Sequence, residues 1–460
     1  MAYQTAWGRV AKMKQEVLPM AVNDPCGGIT DWRRYPAWTQ AMRAALESRR
    51  ANGGKWFSLI DRMYDPRQLQ AAWVRLDQRT KGDKRHSGAG VDGITVAQFV
   101  RQAEREIPRL AAELRSGRYR PQAVRRHYIP KPGSTKKRPL GLPCVRDKVV
   151  QEALRSQVEP IFEYEFLEGS HGFRPGRSTD TACQQLEDFL SQGLVWVVDA
   201  DITGYFDNID HEKLLAQVNR RVADGKVLKL IRTFLAAGVM EEMKVRETPS
   251  GTPQGGVISP LLANIFLHAL DERLTEQGIS WVRYADDILL LCQTHAEAEA
   301  ALVVAREVLQ EMGLNLSPAK TSIVHLDEGF DFVGWHYRGR LRWPRAKSVT
   351  ALRHKVRQKT RALRPGSMEA ICQQVAPLLR GWFNYFRDGN SGQMFDELSG
   401  WVRRRLRTIL HRRHKGKGIG STNLNRRWPN RCFIAWGLFD LATELSRYRR
   451  RYRWPHALLL

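Results

Sequence analysis

Trp281-Val282-Arg283-Tyr284-Ala285-Asp286-Asp287-Ile288-Leu289-Leu290-Leu291 sets two apolar arms on either side of a short acidic turn. Such a run predicts a β-hairpin with carboxylates at its bend. Upstream, Leu194-Val195-Trp196-Val197-Val198 predicts a buried strand running into Asp199-Ala200-Asp201. Acids flanked by residues this apolar are costly to ionise unless a cation offsets them. Hard oxygen ligands suit Mg²⁺. Asp201, Asp286 and Asp287 on adjacent strands would hold two such ions about 4 Å apart, the spacing that braces attacking and leaving oxygens in phosphoryl transfer. Taken alone, Asp286-Asp287 reads equally well as turn chemistry. Asp199 shares a strand face with Asp201 and is expected beside the ligands rather than among them.

Working outward, amphipathic patterns predict helices over 66–80 and 96–116, separated by the basic, glycine-rich stretch Lys81-Gly82-Asp83-Lys84-Arg85-His86-Ser87-Gly88-Ala89-Gly90. Residues 124–130 predict a strand, Lys131-Pro132-Gly133-Ser134-Thr135-Lys136-Lys137 a cationic turn, and Arg138 the start of a second strand. Helices are expected over 145–166, 211–222, 226–237 and 296–312, and the pattern is helical after Lys355. His211 reads as a helix-start residue rather than a metal ligand. Residues 1–54 give no clear pattern. Strands alternating with helices predict an α/β or α+β body.

Composition narrows the partners. The 460 residues include 74 Lys and Arg against 48 Asp and Glu, a formal charge of +26. Such a balance points to a polyanion, either nucleic acid or an anionic membrane surface. Residues 341–460 hold 27 Lys and Arg and only 6 Asp and Glu, so the last quarter of the chain carries most of the excess. Aromatic residues at helical spacing, among them Trp382, Phe383, Tyr385, Phe386, Trp401 and Trp436, argue for a folded basic module rather than a solvated tail. No apolar run is long enough to span a bilayer, and the first twenty residues lack a signal-peptide core. The six cysteines are scattered without zinc-site spacing. A reduced, cytoplasmic protein that meets nucleic acid, with no membrane partner, is expected.

Further motifs follow in a fixed order: Ile129-Pro130-Lys131, Lys136-Lys137-Arg138-Pro139-Leu140-Gly141, His171-Gly172-Phe173-Arg174-Pro175-Gly176-Arg177-Ser178, Asp201-Ile202-Thr203-Gly204-Tyr205-Phe206-Asp207, Gly251-Thr252-Pro253-Gln254-Gly255-Gly256, Ser259-Pro260-Leu261-Leu262-Ala263-Asn264, Tyr284-Ala285-Asp286-Asp287, Leu316-Ser317-Pro318-Ala319-Lys320 and Phe330-Asp331-Phe332-Val333-Gly334-Trp335. This ordered set resembles the reverse transcriptases encoded by group II introns. Pro377-Leu378-Leu379-Arg380-Gly381-Trp382-Phe383-Asn384-Tyr385-Phe386 resembles the start of their maturase (thumb, or X) domain. The resemblance covers roughly residues 82 to 415.

The resemblance implies a right-hand polymerase. Its parts would be an N-terminal extension (1–80), fingers (81–190), a palm with an antiparallel sheet (191–340), a helical thumb or X domain (341–415) and a basic C-terminal segment (416–460). It implies that Asp201, Asp286 and Asp287 bind two Mg²⁺ ions, with a carbonyl ligand from Ile202. Lys131 and Arg138 would grip the incoming triphosphate, and Gln254 would line the nucleotide pocket. Phe206 would be the ring that excludes a ribose 2′-OH, and Lys320 a general acid for the pyrophosphate leaving group. From the residues alone, Phe206 reads as core and Lys320 as a solvated lysine. Arg174 and Arg177 suit template phosphates; Arg380, Arg403, Arg404, Arg405, Arg412 and Arg413 suit phosphates of bound RNA.

The implied activity is RNA-directed DNA synthesis coupled to assistance of splicing and intron mobility. The implied partners are group II intron RNA, an RNA template with a DNA primer, deoxynucleoside triphosphates and target DNA. No His and paired-Cys pattern follows the thumb, so a bacterial type without the endonuclease domain is expected, with its primer coming from another source. The alternatives are a domesticated relative acting in DNA repair or phage defence, and a protein that is mainly a splicing RNA-binder.

Overall fold

Strand alternation explains how the centre of this molecule is built. The computed structural model describes residues 35, 38–130, 137–241, 244–246, 251–252, 255–361, 366–414 and 423–452. Its main helices are α1 (Gln40–Ala51), α2 (Pro66–Arg79), α3 (Ala103–Arg115), α4 (Val145–Glu163), α5 (Thr179–Ser191), α6 (His211–Asn219), α7 (Gly225–Leu235), α8 (Ser259–Glu276), α9 (His295–Glu311), α10 (Ala346–Lys359), α11 (Met368–Phe386), α12 (Gly392–Arg413) and α13 (Leu441–Tyr452). Its strands are β1 (Val124–Pro130), β2 (Lys137–Leu142), β3 (Trp196–Asp201), β4 (Val239–Glu241), β5 (Lys244–Arg246), β6 (Ser280–Tyr284), β7 (Asp287–Cys292), β8 (Ser322–His325), β9 (Phe330–Phe332), β10 (Trp335–Arg338) and β11 (Leu341–Pro344).

The central sheet has the order β6-β7-β3-β8 and is antiparallel throughout. Successive side chains point to opposite faces. Val198, Ala200, Ile288 and Leu290 enter one core, with Phe266, Leu267 and Leu270 of α8 and Ala298, Ala301 and Ala305 of α9. Val197, Leu289 and Leu291 enter a second core, with Ala182, Cys183 and Leu186 of α5. Asp199, Asp201 and Asp287 have the parity of this second face, at its open end. The first core continues into α4, which is buried on nearly every side. Its half-buried Arg155 pairs with the buried Glu152 at 2.8 Å and Glu159 at 2.5 Å. Tyr35 donates to Glu159 at 2.6 Å, tying the start of the described chain to this helix.

The helices after β11 do not stand apart. Phe383 and Phe386 of α11 and Phe395 of α12 share the second core with Phe330, Phe332 and Trp335 of the β9-β10-β11 sheet. Val333 in the β9–β10 turn takes φ +38°, a strained value for a β-branched residue. Tyr385 holds it by donating its hydroxyl to the Val333 carbonyl at 2.5 Å. Tyr385→Phe should therefore cost about 1 kcal/mol and lower the melting temperature by a degree or more; an unchanged melting curve would show that the bond adds nothing.

The expected strands over 124–130 and from 138, and the acidic hairpin, form where the pattern places them. Residues 96–116 divide into Val96–Phe99, opened by the Thr95–Gln98 capping box, and α3, with a turn between them. Helix α1 lies in the stretch without a clear pattern, capped by Thr39 and buried only through Met42 and Leu46. Position 340/341 falls at the tip of the β10–β11 hairpin, where Arg338 pairs with Leu341. Among the described residues, no helix is long and apolar enough to cross a membrane, and the five described cysteines are free thiols.

Candidate active site

Register brings the carboxylates together. Asp201, the last residue of β3, is paired directly with Asp287, the first residue of β7. Directly opposed antiparallel residues have Cα atoms about 4.5–5.5 Å apart. Asp286 precedes Asp287 in the two-residue turn between β6 and β7, which Tyr284 and Asp287 close as a pair. Asp199, one pleat back on the same face, is partly buried. Burial and the charges of Asp287 and Asp201 push its carboxyl up to about 7. Asp287 is pushed up to about 6 by desolvation and by Asp286 and Asp201, against the opposing pull of Arg345 and Lys320.

Lys320, after the Leu316 bridge, sets its ammonium 2.7 Å from Asp201 Oδ2. Among the described residues no three His, Cys, Asp or Glu side chains are already converged as a cage. The donor set is nevertheless all carboxylate, crowded and short of positive charge. Such a set suits Mg²⁺, which usually takes one or two protein carboxylates and completes its shell with water and substrate phosphates. Ile202 forms an antiparallel bridge with Leu316. That bridge is closed by Ser317 N–H donating to the Asp201 carbonyl at 2.7 Å and Thr203 N–H to Asn315 at 2.9 Å, which leaves the Ile202 carbonyl out of it.

Beneath the acidic turn lies a buried ion pair that the sequence reading missed. Arg283, fully buried, donates to Asp271 at 2.8 and 2.5 Å, to Asn264 at 3.0 Å, to Ser170 at 2.8 Å and to the Ala285 carbonyl at 2.9 Å. Ala285 takes φ +61°, so the turn bends as a hairpin of this length requires. Gly172 fits against it: a Cβ there would lie 2.3 Å from the Ala285 nitrogen. A charge inside an apolar strand was the available signal, but its partner Asp271 is visible only once α8 packs on β6.

Phe206 lies in the turn after β3, half-buried against Tyr205. Thr252 N–H donates to its carbonyl at 2.7 Å. A Cβ on Gly251 would meet Phe206 and Asp207 carbonyls below 3 Å, and one on Gly255 would meet the Gly141 carbonyl of β2 at 2.5 Å. Gly251 is thus pressed against the Phe206 turn, and Gly255 against the β1–β2 hairpin. Arg138 is exposed near the hairpin tip, paired in register with Ile129. Lys131 and Gln254 lie outside the described residues. His211 starts α6 and reaches the Gly251 carbonyl at 2.7 Å, a helix-start role.

The arginines divide. Arg174 is not available to a phosphate: its side chain is 2% exposed, paired with Glu163 at 2.8 Å and donating to the Leu167 and Ser170 carbonyls. Two arginines in a glycine- and proline-containing loop had suggested contacts to template phosphates, whereas the loop folds back on Arg174. Arg403 pairs with Asp440, and Arg405 donates to the Thr360 carbonyl at 3.1 Å, so both brace α12. Arg177 is partly buried, 3.9 Å from Glu168. Arg380, Arg404, Arg412 and Arg413 are exposed. Arg353, Arg357 and Arg405 surround the Trp401 ring at 5.4–5.8 Å. Burial and the charges of Arg357 and Arg412 lower the Arg405 pKa, the mark of unneutralised positive charge.

The fold is that of a right-hand polymerase: a palm sheet with opposed carboxylates at its open end, a fingers hairpin and a helical thumb. Comparison with known families agrees. The model described as "Reverse transcriptase (RNA-dependent DNA polymerase)" matches residues 129–337, and "Group II intron, maturase-specific domain" matches 349–428. Protein YkfC of Escherichia coli (strain K12) is 35% identical over 305 residues, covering 58% of this chain and 80% of that protein. Group II intron-encoded protein LtrA of Lactococcus lactis subsp. cremoris is 46% identical over 187 residues, 41% of this chain but only 31% of LtrA's length. A telomerase structure from Candida albicans superposes with a TM-score of 0.41 at 13% identity, covering 77% of this chain and 69% of that one. This chain belongs to the family of group II intron-encoded reverse transcriptases and maturases.

Proposed function

We propose that this protein is an RNA-directed DNA polymerase that also binds group II intron RNA and assists its splicing and mobility. The observation that carries the reading is the register of Asp201 opposite Asp287 with Asp286 in the adjoining turn. Asp201, Asp286 and Asp287 would hold two Mg²⁺ ions, with the Ile202 carbonyl as a further ligand. When bound, the ions supply charge stabilisation for the attacking 3′-oxygen and for the triphosphate.

The chain's own residues do the rest. Arg138 and Lys131 would hold the triphosphate through charge-assisted bonds. The Phe206 ring and Gln254 would shape the sugar pocket and favour deoxynucleotides. Lys320, ion-paired to Asp201, would donate a proton to the departing pyrophosphate. Arg380, Arg404, Arg412 and Arg413, with the arginines around Trp401, would give the thumb exposed positive charge for RNA phosphates. The test is extension of a DNA primer on an RNA template with deoxynucleotides and Mg²⁺, alongside splicing of the cognate intron. Absence of extension would overturn the polymerase reading, and splicing by an Asp286→Ala protein would separate the two roles.

The crowded carboxylates also set a pH dependence. Asp199 and Asp287 titrate higher in the folded chain than the ~3.9 of an unfolded Asp. Between about pH 4 and 7 the folded state therefore holds more protons, and this contribution to stability falls as pH rises through that window. Thermal unfolding in EDTA should show the loss, and Asp199→Asn should flatten it. Mg²⁺ at pH 7.5 should raise the melting temperature of the wild type more than that of Asp201→Asn.

A further inference from the structure

Phe173 stands out in the loop between α4 and α5. Among the described residues, Phe57 and Phe173 are the large apolar side chains exposed by more than half, at 62% and 54%. Of the two, Phe173 is itself in the left-handed region, with φ +62°. A bulky residue held there stores strain, and such strain persists only where surrounding structure over-determines it.

Both flanks of Phe173 are fixed. Residues 169–172 extend the central sheet beyond β6: Arg283 N–H donates to the Gly169 carbonyl at 2.8 Å, and His171 N–H to the Arg283 carbonyl at 2.9 Å. The Gly172 carbonyl accepts from Asn264 at 2.7 Å, and Gly172 abuts the Ala285 backbone. On the other side, the Arg174 guanidinium is drawn inward to Glu163, Leu167 and Ser170. These anchors fix the backbone on either side of Phe173, and with it the direction of its Cα–Cβ bond. The result is an exposed aromatic ring on the residue that follows Gly172, whose backbone packs against Ala285 of the acidic turn.

We infer that the ring of Phe173 is a stacking platform for a nucleobase of the primer–template junction. This rests on the polymerase reading, which places the junction at that turn. The chemistry favours a base because a bare aromatic face recognises a π-face without reading sequence, and base–aromatic stacking is strong enough to select for such a residue. A protein partner would need a larger apolar patch than one ring.

The test measures equilibrium binding of an RNA template–DNA primer duplex to the full chain by fluorescence anisotropy, without deoxynucleotides. Phe173→Ala and Phe173→Leu should weaken binding about 5- to 150-fold, while Phe173→Tyr stays near wild type. Phe173→Gly, which tolerates φ +62°, should bind as weakly as the alanine variant with a melting temperature at or above wild type. That combination separates lost stacking from lost folding. An abasic scan then locates the base: the difference between wild type and Phe173→Ala should vanish when one nucleotide loses its base, and its place in the template or the primer names the strand. Wild-type binding by Phe173→Ala, full rescue by leucine, or a deficit undiminished at every abasic position would overturn the inference. If the wild type extends primers and Phe173→Ala binds normally, this inference falls and the polymerase reading stands.

Discussion

Asp286→Ala should reduce RNA-templated primer extension by roughly 10³-fold, most of it in kcat. The physical reason is the crowding of charge at the end of the central sheet. Asp286 adjoins Asp287, which faces Asp201 across the β3–β7 ladder, and Asp199 stands one pleat away. If the set holds a pair of cations, as proposed, removing one carboxylate loses several kcal/mol of transition-state charge stabilisation, and about 4 kcal/mol corresponds to three decades in rate. Folding should not suffer, because Asp286 sits in a turn and its loss relieves repulsion on Asp287. The pattern to look for is a near-normal melting curve, near-normal RNA binding and almost no extension. Extension within tenfold of wild type would remove Asp286 from the reacting centre.

Arg283→Met should be the most damaging single change to the fold. It would leave the fully buried Asp271 without its partner, and breaking such a pair from one side costs about 3–5 kcal/mol, a large share of the ~5–15 kcal/mol that stabilises a domain. Replacing both members, Arg283→Met with Asp271→Leu, should recover much of that stability, since an apolar pair of similar volume removes the stranded charge. Activity should not recover with it. The double variant still lacks the bond from Arg283 to the Ala285 carbonyl that fixes the turn from below. Denaturant unfolding and primer extension measured on the same samples distinguish the two effects. Restored extension in the double variant would show that the turn is held by other contacts.

The parts of the molecule visible in the sequence were those encoded by local periodicity. The arms of the acidic hairpin, the β1–β2 hairpin and helices α4, α6, α7 and α9 each carry their own alternation or apolar stripe. Strands β8 to β11 have only three or four residues each, too few to show a period. Helix α1 has no more than two buried residues to mark its inner face. In the site, the carboxylates were legible because acids at the ends of apolar strands are conspicuous. Their support was not, because the pairing of Arg283 with Asp271 and the fit of Gly172 under Ala285 exist only after packing. Arg174 shows the converse error. A basic loop looks solvated in one dimension, yet Glu163 lies on a helix that the loop folds against.

The central claim is that Asp201, Asp286 and Asp287 jointly hold a pair of divalent ions where primer and nucleotide meet. Mn²⁺ titration monitored by electron paramagnetic resonance, on the complex of the full chain with RNA template, a 3′-deoxy-terminated primer and the next deoxynucleoside triphosphate, tests it most directly. The account predicts two tightly held ions per ternary complex in the wild type and fewer in Asp201→Asn and Asp286→Ala. The same count in all three proteins, or no ions beyond those carried by the free nucleotide, would contradict it.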